Sequence, residues 1–131
     1  EKELVPHVIA NNQAILAYSP LERGILTGKI KPGYRFGEGD HRSGLPFYND
    51  ENIKRTNAFL EKIWPLADGK NATLAQLVIR WTIEQPGITI ALVGTRNAEQ
   101  AVQNAKAMEI KLSKAELDFI TGELNKLELV L

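Results

Sequence analysis

Apolar positions along the chain follow two rhythms. Residues 4–9 place Leu4, Val5, Val8 and Ile9 at i, i+1, i+4 and i+5, the stripe of an amphipathic helix, and Asn11-Asn12 closes it. Residues 14–18 (Ala14-Ile15-Leu16-Ala17-Tyr18) then run apolar without alternation until Ser19-Pro20, where proline offers no N–H to a ladder. A second unbroken run spans residues 88–93 and stops at Gly94. Short runs of this kind predict strands buried on both faces, as in a parallel sheet covered by helices. Between them, Leu60, Ile63, Trp64 and Ala67 mark a helix over about residues 51–67, with the two tryptophans Trp64 and Trp81 at core spacing. Pro65 is expected to kink that helix or end it early.

Three capping boxes punctuate the rest. Thr73 with Gln76 opens a helix whose Leu74, Leu77, Val78 and Trp81 share a face, and Gln85-Pro86-Gly87 ends it. Asn97 with Gln100 opens another, running to about Met108 with Ala98, Ala101, Val102 and Ala105 inward. Ser113 with Glu116 opens the last, whose apolar face is Leu117, Ile120, Leu124 and Leu127. The order is helix, strand, long loop, two helices, strand, two helices, which predicts an α/β unit with parallel strands over residues 1–131. Two strands cannot cover each other's edges, so the pattern is that of part of a larger parallel sheet or barrel. The opening Glu1-Lys2-Glu3-Leu4, with neither an initiator Met nor the order of a signal peptide, adds to that expectation. Open strand edges also predict self-association.

Composition narrows the function. Of 131 residues, 44% are hydrophobic and 24% charged, the balance of an ordinary globular domain. Sixteen basic residues against sixteen acidic ones leave no formal charge, which argues against nucleic acid or an anionic membrane as the partner. No apolar run approaches the ~20 residues of a membrane helix. With no cysteine there is neither a disulfide framework nor a thiolate metal site, which fits a reducing, cytoplasmic location. His7 and His41 lack a third ligand at metal spacing, so no metal site is expected. Asp40-His41-Arg42 lies in a glycine-rich stretch without a nucleophile signature.

The candidate chemistry sits after the two strands, where parallel sheets and barrels bind ligands. After the second, Gly94-Thr95-Arg96-Asn97 leads into a capped helix, and Arg96, Gln100 and Asn104 follow one face at i, i+4. Free N–H groups, a hydroxyl and a guanidinium suit a phosphate, but a plain capped helix start fits that spacing equally well. After the first, Tyr18 reads either as a core residue, the commoner case, or as a flat face for a heteroaromatic ring. Ser19 reads as a turn hydroxyl or a phosphate ligand. Residues 24–50 carry six glycines, no periodicity, and the cations Lys29, Arg35 and Arg42, the makings of a loop that folds onto an anion.

Together the segments Ala17-Tyr18-Ser19-Pro20-Leu21-x-x-Gly24-x-Leu26-Thr27-Gly28-Lys29 and Val93-Gly94-Thr95-Arg96-x-x-Glu99-Gln100-x-x-x-Asn104 resemble the C-terminal part of the aldo-keto reductase family. Thr73-Leu74-Ala75-Gln76-Leu77-x-x-Arg80-Trp81 is similar to that family's helix before the last barrel strand. The resemblance implies the C-terminal portion of a (β/α)8 TIM barrel, with two parallel strands and about five helices, residues 14–18 and 88–93 being the seventh and eighth strands and residues 19–50 the cofactor loop. It implies an NADPH-dependent oxidoreductase that reduces small aldehydes or ketones. Tyr18 would stack on the nicotinamide, and Ser19, Pro20, Leu21, Gly24 and the loop through Lys29 would lie over the pyrophosphate, with Arg42 folding onto the cofactor. Gly94, Thr95, Arg96 and Gln100 would hold the 2′-phosphate of NADP, and Asn104 the adenine. Many members carry Glu where this chain has Gln103. The family's catalytic Tyr, Lys, Asp and His belong to the first half of its barrel and match nothing here, so these residues alone are expected to be inactive. A non-catalytic NADPH-sensing subunit of the same fold, and a phosphate-binding barrel piece that never handles nicotinamide, are the alternatives.

Overall fold

A computed structural model describes residues 2–130. In chain order it contains α1 (Leu4–Ala10), β1 (Ile15–Tyr18), α2 (Asp50–Gly69), α3 (Leu74–Ile83), β2 (Ile88–Leu92), α4 (Ala98–Ala105) and α5 (Lys114–Leu124). Short 3-10 helices occupy Glu22–Thr27, His41–Gly44, Pro46–Tyr48 and Lys106–Glu109. The predicted order of helices and strands holds throughout. The strands pair in parallel, with Leu16 opposite Ile90, Ala17 opposite Ala91 and Tyr18 opposite Leu92. The register slips once between Ile15 and Leu16, and there the Thr89 hydroxyl accepts the Ile15 N–H at 3.3 Å.

The core is a helical layer. Phe59, Leu60, Ile63 and Ala67 of α2 interlock with Leu74, Leu77 and Val78 of α3 and Ile120 of α5. Leu21 and Leu26, from the segment after β1, pack onto the same cluster. Trp81 joins it as expected, and its indole N–H donates to Thr121 Oγ1 at 3.1 Å, linking α3 to α5. Asn52 is fully buried at the start of α2. Its amide nitrogen donates to Pro46 O and Val130 O and its oxygen accepts the Val130 N–H, each at 2.8 Å, so the end of the described chain is fastened to α2.

Four expectations need correction. The strands are not buried on both faces: Leu16, Tyr18, Ile90 and Leu92 all point to one exposed face, because among the described residues nothing lies over it. Pro65 does not end α2, which continues to Gly69. The proline removes one hydrogen bond to the exposed Glu61, while fully buried Ile63 and Ala67 on either side hold the helix in place. Trp64 is 48% exposed rather than packed. The face of α4 predicted to be inward is open, with Val102 58% exposed. That helix ends at Ala105 and tightens into a 3-10 turn, which shifts the buried positions to Ala107 and Ile110.

Two of the capping boxes close with both reciprocal bonds, at Thr73–Gln76 and at Ser113–Glu116. In the second, the Glu116 carboxylate also meets Lys70 Nζ at 2.7 Å. That ammonium, with the Ser113 N–H donating at 2.7 Å, holds the Glu116 pKa down at about 2 against the usual 4.5. A depressed carboxylate pKa contributes stability that is present above the unfolded value and disappears as pH falls toward the folded one. Urea unfolding at stepped pH is therefore expected to show stability falling between about pH 4.5 and pH 2, and Glu116→Gln is expected to flatten that part of the curve.

Candidate functional site

Parallel pairing in register puts the C-terminal ends of both strands at the same edge, Tyr18 beside Leu92. The two candidate loops therefore leave the sheet side by side. Tyr18 is 80% exposed, so its aromatic face is open rather than core. The chain then turns sharply. Ser19, Glu22, Arg23 and Gly24 all have positive φ, at 53°, 41°, 48° and 100°. For residues with a Cβ this left-handed region is unfavourable by roughly 1–2 kcal/mol each. Local bonds fix part of the turn: Glu22 N–H donates to Ser19 O at 2.8 Å, Gly24 N–H to Leu21 O at 2.9 Å and the Thr27 hydroxyl to Gly24 O at 2.7 Å. Pro20 and Leu21 are half-buried, and Leu21 anchors the turn to the helical core. Gly28 ends this segment at φ +74°, and a Cβ there would stand 2.8 Å from Leu74 Cδ1. Lys29 follows it, exposed.

The stretch read from sequence as aperiodic is ordered around a small core of its own. Ile25, Ile30, Tyr48 and Ile53 are buried together, with Leu26, Phe36 and Leu45 against them. Phe36 packs edge-on to Tyr34 and Tyr48, with ring centroids 5.0 and 5.6 Å apart. Arg42, half-buried, is gripped by Asp40 at 2.6 Å, lies 5.2 Å from the Phe36 centroid and donates to Arg23 O at 3.0 Å. The guanidinium holds the Asp40 carboxyl down at about 2, and burial pushes the Tyr48 phenol up to about 12. The Tyr48 hydroxyl donates to Glu22 O at 2.7 Å. Sequence reasoning missed Asp40, Phe36 and Tyr48. The available signal was that four of the nine aromatic residues fall within residues 34–48, too many for a stretch without a core.

At the other strand end, Gly94, Thr95 and Arg96 are exposed, and Arg96 takes part in no ion pair among the described residues. Asn97 caps α4 by accepting the Gln100 N–H at 2.8 Å. The reciprocal half of the predicted box is displaced by one residue, since Gln100 Oε1 accepts the Arg96 N–H at 2.9 Å. The loop is thus closed into a ring with the Arg96 residue on the outside. Asn104 lies half-buried further along α4. Gln103 is held from below: buried Gln76 donates to its backbone oxygen at 2.8 Å and to its side-chain oxygen at 3.3 Å. Among the described residues no group of three His, Cys, Asp or Glu could hold a metal, and no helix is long and apolar enough to cross a membrane.

The family model for the aldo/keto reductase family matches residues 1–124. The chain belongs to that family. It is 33% identical over 120 residues to the NADP(+) aldo-keto reductase yakc of Schizosaccharomyces pombe, covering 92% of this chain and 35% of the relative. It is 31% identical over 128 residues to the NADH-specific methylglyoxal reductase of Escherichia coli, covering 98% of this chain and 39% of that protein. Among solved structures, the glycerol dehydrogenase of Gluconobacter oxydans superposes with a TM-score of 0.86 at 27% identity, over 96% of this chain and 38% of that one. The chain therefore spans little more than a third of the length of these aldo-keto reductases, and its two parallel strands with their helices are a portion of the (β/α)8 barrel.

Gly28 is a residue of the first loop that both the backbone and a close neighbour require to be glycine. Gly28→Ala is expected to lower stability by roughly 1–3 kcal/mol, from the left-handed backbone and the approach to Leu74, read as a lower urea midpoint with unchanged slope.

Proposed function

We propose that this chain is the dinucleotide-gripping portion of an NADP(H)-dependent oxidoreductase that reduces small aldehydes or ketones. The observation that carries this reading is the shared edge: Tyr18-Ser19 and Gly94-Thr95-Arg96 leave neighbouring strands at the same end. Bound there, the nicotinamide would supply hydride to a carbonyl carbon. The Tyr18 ring offers a plane for that heterocycle, and Ser19, Pro20, Leu21, Gly24 and Lys29 line the turn suited to a pyrophosphate. Thr95, Arg96 and Gln100 provide a hydroxyl, a guanidinium and an amide for a 2′-phosphate, with Asn104 beyond them for the adenine.

Gly94 supports the fit. Its φ is not positive, and a Cβ built on it meets nothing within 4 Å, so the chain's own packing does not require glycine there. A bare backbone beside a capped helix start suits an approaching phosphate. Arg96, in no ion pair among the described residues, supplies the charge. No residue of this chain matches the family's proton donor, so turnover of a carbonyl is assigned to the whole protein and not to these residues alone.

Titration with NADPH and NADH, followed by protein fluorescence, tests the cofactor. Each charged hydrogen bond to the 2′-phosphate is worth about 1.5–3 kcal/mol, so Arg96→Ala is expected to weaken NADPH at least tenfold and leave NADH unchanged. Negligible affinity for both dinucleotides overturns the reading. Tight NADH binding that ignores Arg96 overturns the 2′-phosphate assignment alone. The exposed apolar face and outer strand edges are proposed to drive self-association, so light scattering is expected to show species larger than a monomer. A monomer at all concentrations would refute it.

A further inference from the structure

We propose that Tyr48 and the Arg42–Asp40 pair are positioning residues for the dinucleotide, acting through a clamp on two consecutive main-chain carbonyls of the turn after β1. This rests on the cofactor reading above and goes beyond it, because it assigns a remote loop a role exerted through the turn.

The turn carries three non-glycine residues in the left-handed region, Ser19, Glu22 and Arg23, and such conformations persist only where surrounding structure over-determines them. Two carbonyls of this turn are captured from far away in sequence. The Tyr48 hydroxyl donates to Glu22 O at 2.7 Å, and Arg42 Nη1 donates to Arg23 O at 3.0 Å. Both donors are themselves immobilised. Tyr48 is buried in the small cluster with Ile25, Ile30 and Ile53. Arg42 Nε donates to Asp40 Oδ1 at 2.9 Å and its Nη2 to Oδ2 at 2.6 Å, while the Arg42 N–H returns to Oδ1 at 3.1 Å. Phe36 joins the two donors, lying under the guanidinium and edge-on to the Tyr48 ring.

Every nitrogen of the Arg42 guanidinium already has an acceptor, and its side chain is only 16% exposed. A residue so held is placed to act on the turn. This indirect role stands beside the direct cofactor contact that the family resemblance implies for Arg42. Capture of the Glu22 and Arg23 carbonyls sets the direction of the two peptide units from Glu22 to Gly24, and the Glu22 N–H to Ser19 O and Gly24 N–H to Leu21 O bonds tie these units to the start of the turn, where a ligand would meet it.

The test compares Tyr48→Phe and Asp40→Asn with the unaltered chain and with Arg96→Ala. Each is read by amide hydrogen exchange over residues 21–28 and by NADPH and NADH titration. Tyr48→Phe keeps the ring and its packing and removes one hydroxyl. A hydrogen bond of ordinary strength corresponds to about a fivefold effect. Tyr48→Phe and Asp40→Asn are each expected to speed exchange over residues 21–28 about fivefold and to weaken NADPH and NADH by the same factor as each other. Arg96→Ala is expected to leave that exchange unchanged. Unaltered exchange in both clamp variants overturns the proposal. So does weaker dinucleotide binding without faster exchange, which would put Arg42 on the ligand directly. Variants that bind as tightly as an unaltered chain that does bind overturn this assignment alone, whereas an unaltered chain that binds neither dinucleotide overturns the cofactor reading and this proposal with it.

Discussion

Parallel pairing of β1 with β2 is the constraint from which the rest follows. A parallel neighbour cannot be reached by a tight turn, so the chain must travel back along the full length of the sheet before the second strand begins. The returning chain here is the turn after β1, the ordered loop, α2 and α3, and these same segments contain nearly all of the buried core. Leu21 and Leu26 show how closely return path and site are joined: both belong to the turn that leaves β1, and both pack against the helical cluster built by α2, α3 and α5. The position of the candidate site is thus set by helix packing as much as by the sheet.

Features governed by neighbours in sequence were legible before the structure. Thr73–Gln76 and Ser113–Glu116 formed the boxes their spacing announces, because a capping box is complete within four residues. Asn97–Gln100 formed only half of one. Gln100 could reach two backbone N–H groups and took that of Arg96, a choice that residue types alone do not encode. The location of candidate chemistry was legible as well, since strand ends can be found from hydrophobic runs and a parallel sheet gathers them at one edge.

Burial was less legible, because it depends on what lies opposite. Trp64 and Val102 fall at core spacing on their helices yet about half of each stays exposed. Pro65 obeys a local rule that the core overrides, with Ile63 and Ala67 holding the helix through it. The loop escaped for another reason. Its order comes from contacts such as Tyr48 to Glu22, 26 residues apart, and Arg42 to Arg23, 19 apart, and neither produces a period. Only the cluster of aromatic residues hinted at it.

The backbone of the turn after β1 has a thermodynamic consequence for binding. A loop that becomes ordered only when its ligand arrives loses conformational entropy at that moment, which weakens the observed affinity. Here the unfavourable left-handed residues are already in place, stabilised by burial of Ile25 and Tyr48 and by bonds that a ligand does not supply. The cost of shaping the turn is therefore met during folding, and whatever binds at this edge meets a surface that is already formed. Gln100 does the same for the second loop by closing it onto the Arg96 N–H. Two loops fixed independently, one by a distant clamp and one by its own helix, converge on a single edge because the two strands that carry them are paired in register.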